Sequence, residues 1–201
     1  MTEGLVTQSI DLPGGEIRLL QPTDSAELPD EGGVEWAPIA PYWSVLWRSG
    51  IALARELDRM ALDGLRIVEL GCGLAVPSIA AARAGATVLA TDSCPDALAR
   101  AQRNAALNGA ALETTTVDWA EPDDLVARGP FDVVLAADVL YERTSVHPLL
   151  RLLPCLAPSA WIADPGRPAA EAFLARAREG WSVETSVDGV VRIHHLTAFR
   201  R

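Results

Sequence analysis

A glycine turn flanked by well-spaced acids gives this chain the means to hold a small cationic ligand. The stretch ELGCGLAVP places Glu69 at the end of a short apolar run, Gly71 and Gly73 just after it, and a helical segment beyond. Such a turn lets backbone approach a ligand closely. A dinucleotide fingerprint needs a third glycine at position 76, where this chain has Val76. A nucleoside-triphosphate loop needs a lysine, and all 17 basic side chains are arginine. The turn therefore asks for a ligand without a pyrophosphate, and a carboxylate such as Glu69 can accept hydrogen bonds from a cationic amine. Asp92 closes the next apolar run, 21 residues after Gly71. An acid at about that distance accepts the hydroxyls of a ribose in doubly wound folds. Asp118 closes a third run and suits the amine of a base, with Trp119 offering a flat apolar face. Amine, ribose and base without phosphate describe S-adenosylmethionine, and the spacing predicts that cofactor.

These residues need strand ends to stand on. SIDLPGGEIRLLQP reads as two short strands around a turn, followed by the loop TDSAELPDEGGVEWAP. YWSVLWRSGIALARELDRM carries apolar residues at helical spacing. From Leu65 strands and helices alternate: LRIVEL, then VPSIAAARAG ending at Gly85; ATVLATD, then SCPDALARAQRNAALNG with Ser93 as N-cap and Gly109 as its stop. ALETTTVDW and FDVVLAADVLY are a third and fourth strand, TSVHPLLRLLPCLAP a helix, SAWIAD a fifth strand and AAEAFLARAREG a helix. WSVETSVDG and VVRIHHLTAF close the chain as a hairpin. The pattern predicts an α/β fold, a Rossmann-like doubly wound sheet of seven strands, mostly parallel with an antiparallel C-terminal hairpin. Residues 1–40 form an N-terminal extension of hairpin and loop, and 41–201 the domain. Ligands belong at the carboxyl ends of the strands, where the strand order reverses.

Bulk properties narrow the function classes. At 201 residues and 49% hydrophobic, the chain suits one well-cored domain. No apolar run reaches the roughly 18 residues that a membrane span needs, and the N-terminus lacks a secretory pattern. Three cysteines without a close pair argue against a disulfide framework or a zinc site and fit a reducing cytoplasm. The net charge of −10, with no basic cluster, argues against a nucleic-acid partner. Without lysine the chain has no side-chain amine for catalysis or self-modification. His194 and His195 alternate across a strand and point to opposite faces, against a shared metal. Cys94 and Cys155 are expected as buried thiols, and Trp36, Trp161 and Trp181 as packing residues.

VELGCGLAVPSIAAARAGATVLATD resembles the core of the class I, seven-stranded S-adenosylmethionine-dependent methyltransferases. Trp43 and Trp47 before the domain, the Leu-Gly-Cys-Gly turn, Asp118-Trp119 and Asp138-x-x-Tyr141 resemble the family sixteen group of protein-lysine methyltransferases. ADPGRP and PYWSVLWRSG resemble segments of the enzymes that methylate the electron transfer flavoprotein β-subunit. One departure is Ala75, where this turn often has a third glycine. By position the resemblance implies that Trp47, Gly71, Cys72, Gly73, Asp92, Trp119 and Ala137 contact the cofactor. It implies that Asp138 and Tyr141 border the acceptor.

The resemblance implies N-methyl transfer, which needs an uncharged, aligned acceptor amine. Asp138 is expected to orient it, with Tyr141 as a wall or hydrogen-bonding group, and Tyr42 and Trp43 to line its channel, because cationic amines favour aromatic faces. A helix-capping role for Asp138 and a partly buried Tyr141 with a satisfied hydroxyl are the structural alternatives. Arg167 could pair with Asp164 or meet the substrate. The acceptor is a protein lysine, one candidate being an electron transfer flavoprotein subunit, or a small amine of nicotinamide type; a non-catalytic S-adenosylmethionine-binding protein is the alternative of another class.

Overall fold

The computed structural model describes residues 4–26 and 41–199. Trp36 and the predicted loop after position 26 therefore lie outside the described residues up to 40. In chain order the elements are β1 (Leu5–Ile10), β2 (Ile17–Pro22), a short α1 (Thr23–Ala26), a 3-10 turn at Tyr42–Ser44, α2 (Arg48–Leu57), β3 (Arg66–Leu70), α3 (Val76–Arg83), β4 (Thr87–Asp92) and α4 (Pro95–Leu107). Then follow β5 (Glu113–Thr116), α5 (Asp123–Ala127), β6 (Val133–Ala137), a 3-10 turn at Arg143–Ser145, α6 (Val146–Leu156), β7 (Ser159–Asp164), α7 (Pro168–Ala177), β8 (Trp181–Asp188) and β9 (Val191–Ala198).

Seven strands form one sheet in the order β5-β4-β3-β6-β7-β9-β8. β3, β4, β5, β6 and β7 pair in parallel, and β9 runs antiparallel to both β7 and β8. Strands such as RIVEL and VVLAA are buried on both faces because helices cover both. On one side Leu53 and Leu57 of α2 pack on Ile67, Leu135 and Ile193. On the other, Leu152 of α6 and Phe173 of α7 join Leu70, Val134 and Ile162. The chain winds outward from β3 through β4 to β5, then returns to the other side of β3 with β6. The carboxyl ends of β3 and β6 therefore flank the switch point, where ligands bind in such sheets. No helix among the described residues is long and apolar enough to cross a membrane.

The N-terminal hairpin packs on the domain. Ile17 and Leu19 are fully buried with Ile79 of α3 and Ala105 of α4. Asn104 of α4 and Asn108 at its C-cap hold the hairpin: Asn104 Oδ1 accepts the Leu20 N–H at 2.8 Å, and Asn108 accepts from Arg18 N–H at 2.8 Å while donating to its carbonyl at 2.7 Å.

Several local expectations change. The helix predicted from Tyr42 starts at Arg48, because Trp47 is extended and its indole N–H bonds the Tyr42 carbonyl at 3.1 Å. Ser93 does not cap α4; Asp92 Oδ1 accepts the Cys94 N–H at 2.9 Å instead. The third strand ends at Thr116, so Asp118 and Trp119 stand beyond it, with Asp118 Oδ1 bonded to Ala120 N–H. α1 and α5 were not anticipated, since four or five residues carry too little periodicity. The thiols are corrected too: Cys94 is half-buried and Cys155 exposed. Cys155 occupies the solvent side of α6, whose core stripe is Leu149, Leu152, Leu153 and Leu156. Trp181 is in the core, and Trp161 stacks on His195 with ring centroids 4.3 Å apart.

Candidate functional site

A cavity of about 1060 Å³ opens at the switch point. The glycine turn, Asp92, residues 117–120, Ala137–Asp138, the Tyr42–Trp47 segment and the Pro165–Arg167 loop line it.

The turn is built from left-handed backbone. Gly71 has φ +67° and Gly73 φ +50°. A Cβ on Gly73 would sit 2.8 Å from the Trp43 carbonyl oxygen, and one on Gly71 would meet Val139 at 3.0 Å and the Trp119 ring at 3.6 Å. Ala75, where the resemblance leads one to seek glycine, also takes a left-handed φ of +63° and is fully buried. That conformation costs a non-glycine residue roughly 1–2 kcal/mol.

Glu69 answers the phosphate question. It is 1% exposed, and its Oε2 accepts both the main-chain N–H of Ser78, at 3.0 Å, and the Ser78 hydroxyl. Ser78 lies in the first turn of α3, so the chain's own acid fills the helix N-terminus that a pyrophosphate would need. Burial pushes the Glu69 carboxyl up to about 8; the Ser78 bonds pull it down by less, and Asp92 adds to the rise. A cation beside it would restore the carboxylate. Burial, with Glu69 and Asp92 nearby, also pushes the Cys72 thiol well above its ordinary value, against a nucleophilic role.

Asp92 closes β4 with its carboxylate oriented by two backbone amides: Oδ2 accepts Gly73 N–H at 3.0 Å and Oδ1 accepts Cys94 N–H at 2.9 Å. Each oxygen retains a further acceptor position. Asp118 and Trp119 stand beside it on the cavity wall, Trp119 against Gly71.

Across the switch point, Asp138 follows β6 with φ +58° and is 9% exposed. Its N–H bonds the Ala163 carbonyl at 2.8 Å. Its Oδ1 accepts from Arg167 Nε at 2.7 Å, and its Oδ2 from the Ser49 hydroxyl at 3.4 Å. Asp138 therefore caps no helix. The guanidinium of Arg167 pairs with Asp138 rather than Asp164, which receives only the Arg167 main-chain N–H, at 3.0 Å. The Arg167 guanidinium also lies 6.0 Å from the Trp47 ring centre. Tyr42 and Tyr141, 51% and 57% exposed, face each other at the rim with ring centroids 6.3 Å apart. Tyr141 is thus a rim residue, a little over half exposed. Burial first, then the Glu142 charge, raises its phenol above the ordinary value.

All thirteen sequence-predicted cofactor and acceptor residues line this cavity. The sequence reading missed Ser49 and Ser78, and left Arg167 unassigned. Ser49 and Ser78 carry no local signal, being ordinary helix residues whose partners lie on other elements. Among the described residues no cluster of His, Cys, Asp and Glu could hold a metal ion.

The fold is shared with known proteins. A magnesium protoporphyrin IX methyltransferase from Synechocystis, solved with bound S-adenosylmethionine, shares the fold with a TM-score of 0.58 at 21% identity, over 74% of this chain and 77% of that one. The electron transfer flavoprotein beta subunit lysine methyltransferase of Danio rerio is 31% identical over 176 residues, 83% of this chain and 65% of its own. The histone-arginine methyltransferase METTL23 of Xenopus laevis is 31% identical over 115 residues, 54% of this chain and 49% of its own. The chain thus spans about half to two thirds of the length of these curated relatives. The lysine methyltransferase family matches residues 42–161, from the tyrosine of the cavity rim to the middle of β7. With more than half of its length matched and the glycine turn, Asp92 and Asp138 gathered on one cavity, the chain belongs to the lysine methyltransferase family.

Proposed function

We propose that the protein is an S-adenosylmethionine-dependent methyltransferase acting on a lysine side chain of another protein. One observation carries the reading: a cradle that excludes phosphate, at Glu69 and Asp92, opens into the same cavity as an arginine-held carboxylate, Asp138, beneath two exposed tyrosines. When bound, the cofactor supplies an electrophilic methyl group on a sulfonium.

The residues present fit that cofactor. The turn at Gly71, Cys72 and Gly73, with Glu69, would hold its amino-acid end, and Asp92 its ribose. Asp118 and Trp119 would hold the base, and Trp47 and Ala137 would complete the wall. On the acceptor side a lysine must give up its proton, against a reference pKa near 10.4. Withdrawal from water between Tyr42, Trp43 and Tyr141 lowers that value. Asp138 then orients the amine through Oδ2, which carries only the longer Ser49 bond at 3.4 Å, while Oδ1 faces the Arg167 guanidinium at 2.7 Å.

The same occupancy favours lysine over arginine. A guanidinium is best held by two carboxylate oxygens side by side. On Asp138 the Arg167 guanidinium already occupies one side of the carboxylate, so a second guanidinium would meet a like charge there. A protein acceptor of the electron transfer flavoprotein type is the finer proposal, supported by ADPGRP and by the 31% identity over 83% of the chain.

The test incubates the purified protein with S-adenosylmethionine labelled in its methyl group and a lysate of its own host. A labelled protein band supports the reading. Label confined to small molecules would replace it with a small-amine methyltransferase. Cofactor binding by calorimetry with no transfer to any fraction would replace it with a non-catalytic binding protein.

A further inference from the structure

We propose that the relay from exposed Thr185 through the buried His194–Asp164 pair is a positioning device, which sets the Pro165–Arg167 loop and through Arg167 fixes the acceptor-side carboxylate of Asp138. The proposal rests on the reading of the cavity given above.

The sheet register brings the relay together. In the antiparallel pairing of β7 with β9, Ile162 lies opposite His194 and Asp164 opposite Arg192. Asp164 and His194 are therefore diagonal neighbours on one face, within reach of each other. β8 places Thr185 directly opposite His194. Both imidazole nitrogens are used: Nε2 lies 3.1 Å from Asp164 Oδ2, and Nδ1 lies 2.8 Å from Thr185 Oγ1. The side chains of His194 and Asp164 are 3% and 1% exposed, and neither lines the cavity. A dyad so placed cannot touch substrate, so any part it plays in catalysis passes through another residue.

That residue is Arg167. The second oxygen of Asp164, Oδ1, accepts the main-chain N–H groups of Gly166 and Arg167. One carboxylate thus ties the strand end to the loop that leaves it. Gly166 turns that loop with φ +86°, and a Cβ there would sit 3.1 Å from the Arg192 guanidinium carbon. The loop delivers Arg167 to Asp138 at 2.7 Å. Asp138 is itself held to the same strand, through its N–H on the Ala163 carbonyl. Burial opposes ionisation of Asp164. The bonds from His194, Gly166 and Arg167 outweigh it and hold the carboxyl below its ordinary value, as an acceptor of both sets of donors requires. A buried His–Asp pair in mid-sheet would only join strands. This one stands at the carboxyl end of β7, one loop away from the acceptor carboxylate.

The test separates positioning from fold stability with two readouts. The first is the Arg167 Nε–H resonance in the cofactor-free protein, assigned by its loss in Arg167→Lys and read for protection from solvent exchange. The second is kcat and the cofactor Kd for methyl transfer. His194→Leu is expected to abolish the protection and to lower kcat about tenfold with the Kd within twofold. His194→Gln, which keeps a donor toward Asp164, is expected to restore both. In an Arg167→Leu background, His194→Leu is expected to lower kcat no further, because the two act in series. Should His194→Leu fail to fold, Thr185→Val reads the same link, with about a threefold fall and weaker protection. A His194 variant that melts earlier yet keeps the Arg167 resonance and kcat overturns the proposal, as does an effect fully additive with Arg167→Leu. Loss of protection in a protein that methylates no acceptor supports the relay and removes the functional reading instead.

Discussion

The carboxylate of Glu69 and the backbone amide of Ser78 meet at 3.0 Å, across the nine residues that separate a strand from the first turn of the next helix. The bond places an acid of the chain where nucleotide-binding folds place a phosphate. It also leaves that acid buried, proton-bound up to about pH 8, and next to the proposed position of a cationic amine.

Cofactor affinity therefore depends on pH. Free protein carries the Glu69 proton below about pH 8, and a bound ammonium favours the carboxylate, so binding releases a proton. Affinity for S-adenosylmethionine should rise from about pH 5 to about pH 7. Calorimetry in buffers of different ionisation enthalpy measures the released proton, and Glu69→Gln should flatten the profile.

Stability of the cofactor-free protein moves the opposite way. Glu69 has an unfolded value near 4.5 and a folded value near 8, so the native state binds more protons between them. Stability should fall as pH rises through that window, and Glu69→Gln should remove the slope and melt higher than the parent at pH 8. Thermal melts at pH 5 and pH 8 decide it.

Gly73→Ala tests the turn. Its Cβ would sit 2.8 Å from the Trp43 carbonyl oxygen in a left-handed backbone. A cost of about 2 kcal/mol corresponds to a fall of roughly 4–8 °C in melting temperature for a chain of this size, with weakened cofactor binding.

Asp138→Asn should lower kcat by about a hundredfold with cofactor affinity within twofold, as misorientation of a reacting group does. Full activity in that variant would contradict the role given to Asp138.

At the rim, Tyr42→Ala and Tyr141→Ala should each raise the acceptor KM by roughly two- to fivefold, the size of an exposed cation–π contact of about 0.5–1 kcal/mol, and leave kcat nearly unchanged. Steady-state kinetics with an acceptor peptide reads this directly.

Much of this architecture was legible in the chain. The alternation of apolar runs with helical segments fixed the sheet type, and Gly71, Gly73 and Asp92 announced a phosphate-free turn because their spacing is local. What stayed hidden joins distant segments. Arg167 reaches Asp138 across 29 residues and Ser49 reaches it across 89, through strand order that periodicity does not encode. Trp47 read as helical because its neighbours are apolar, yet its indole turns back to the Tyr42 carbonyl and delays α2 to Arg48. Cys155 read as buried by residue type, although its place on α6 puts it in solvent.

The most direct measurement is amino-acid analysis of the acceptor after transfer from methyl-labelled S-adenosylmethionine. Total hydrolysis of the labelled protein should yield the label in N-methylated lysine. Label in methylarginine, or none in any protein, would contradict the assignment of a lysine amine to the arginine-paired carboxylate of Asp138.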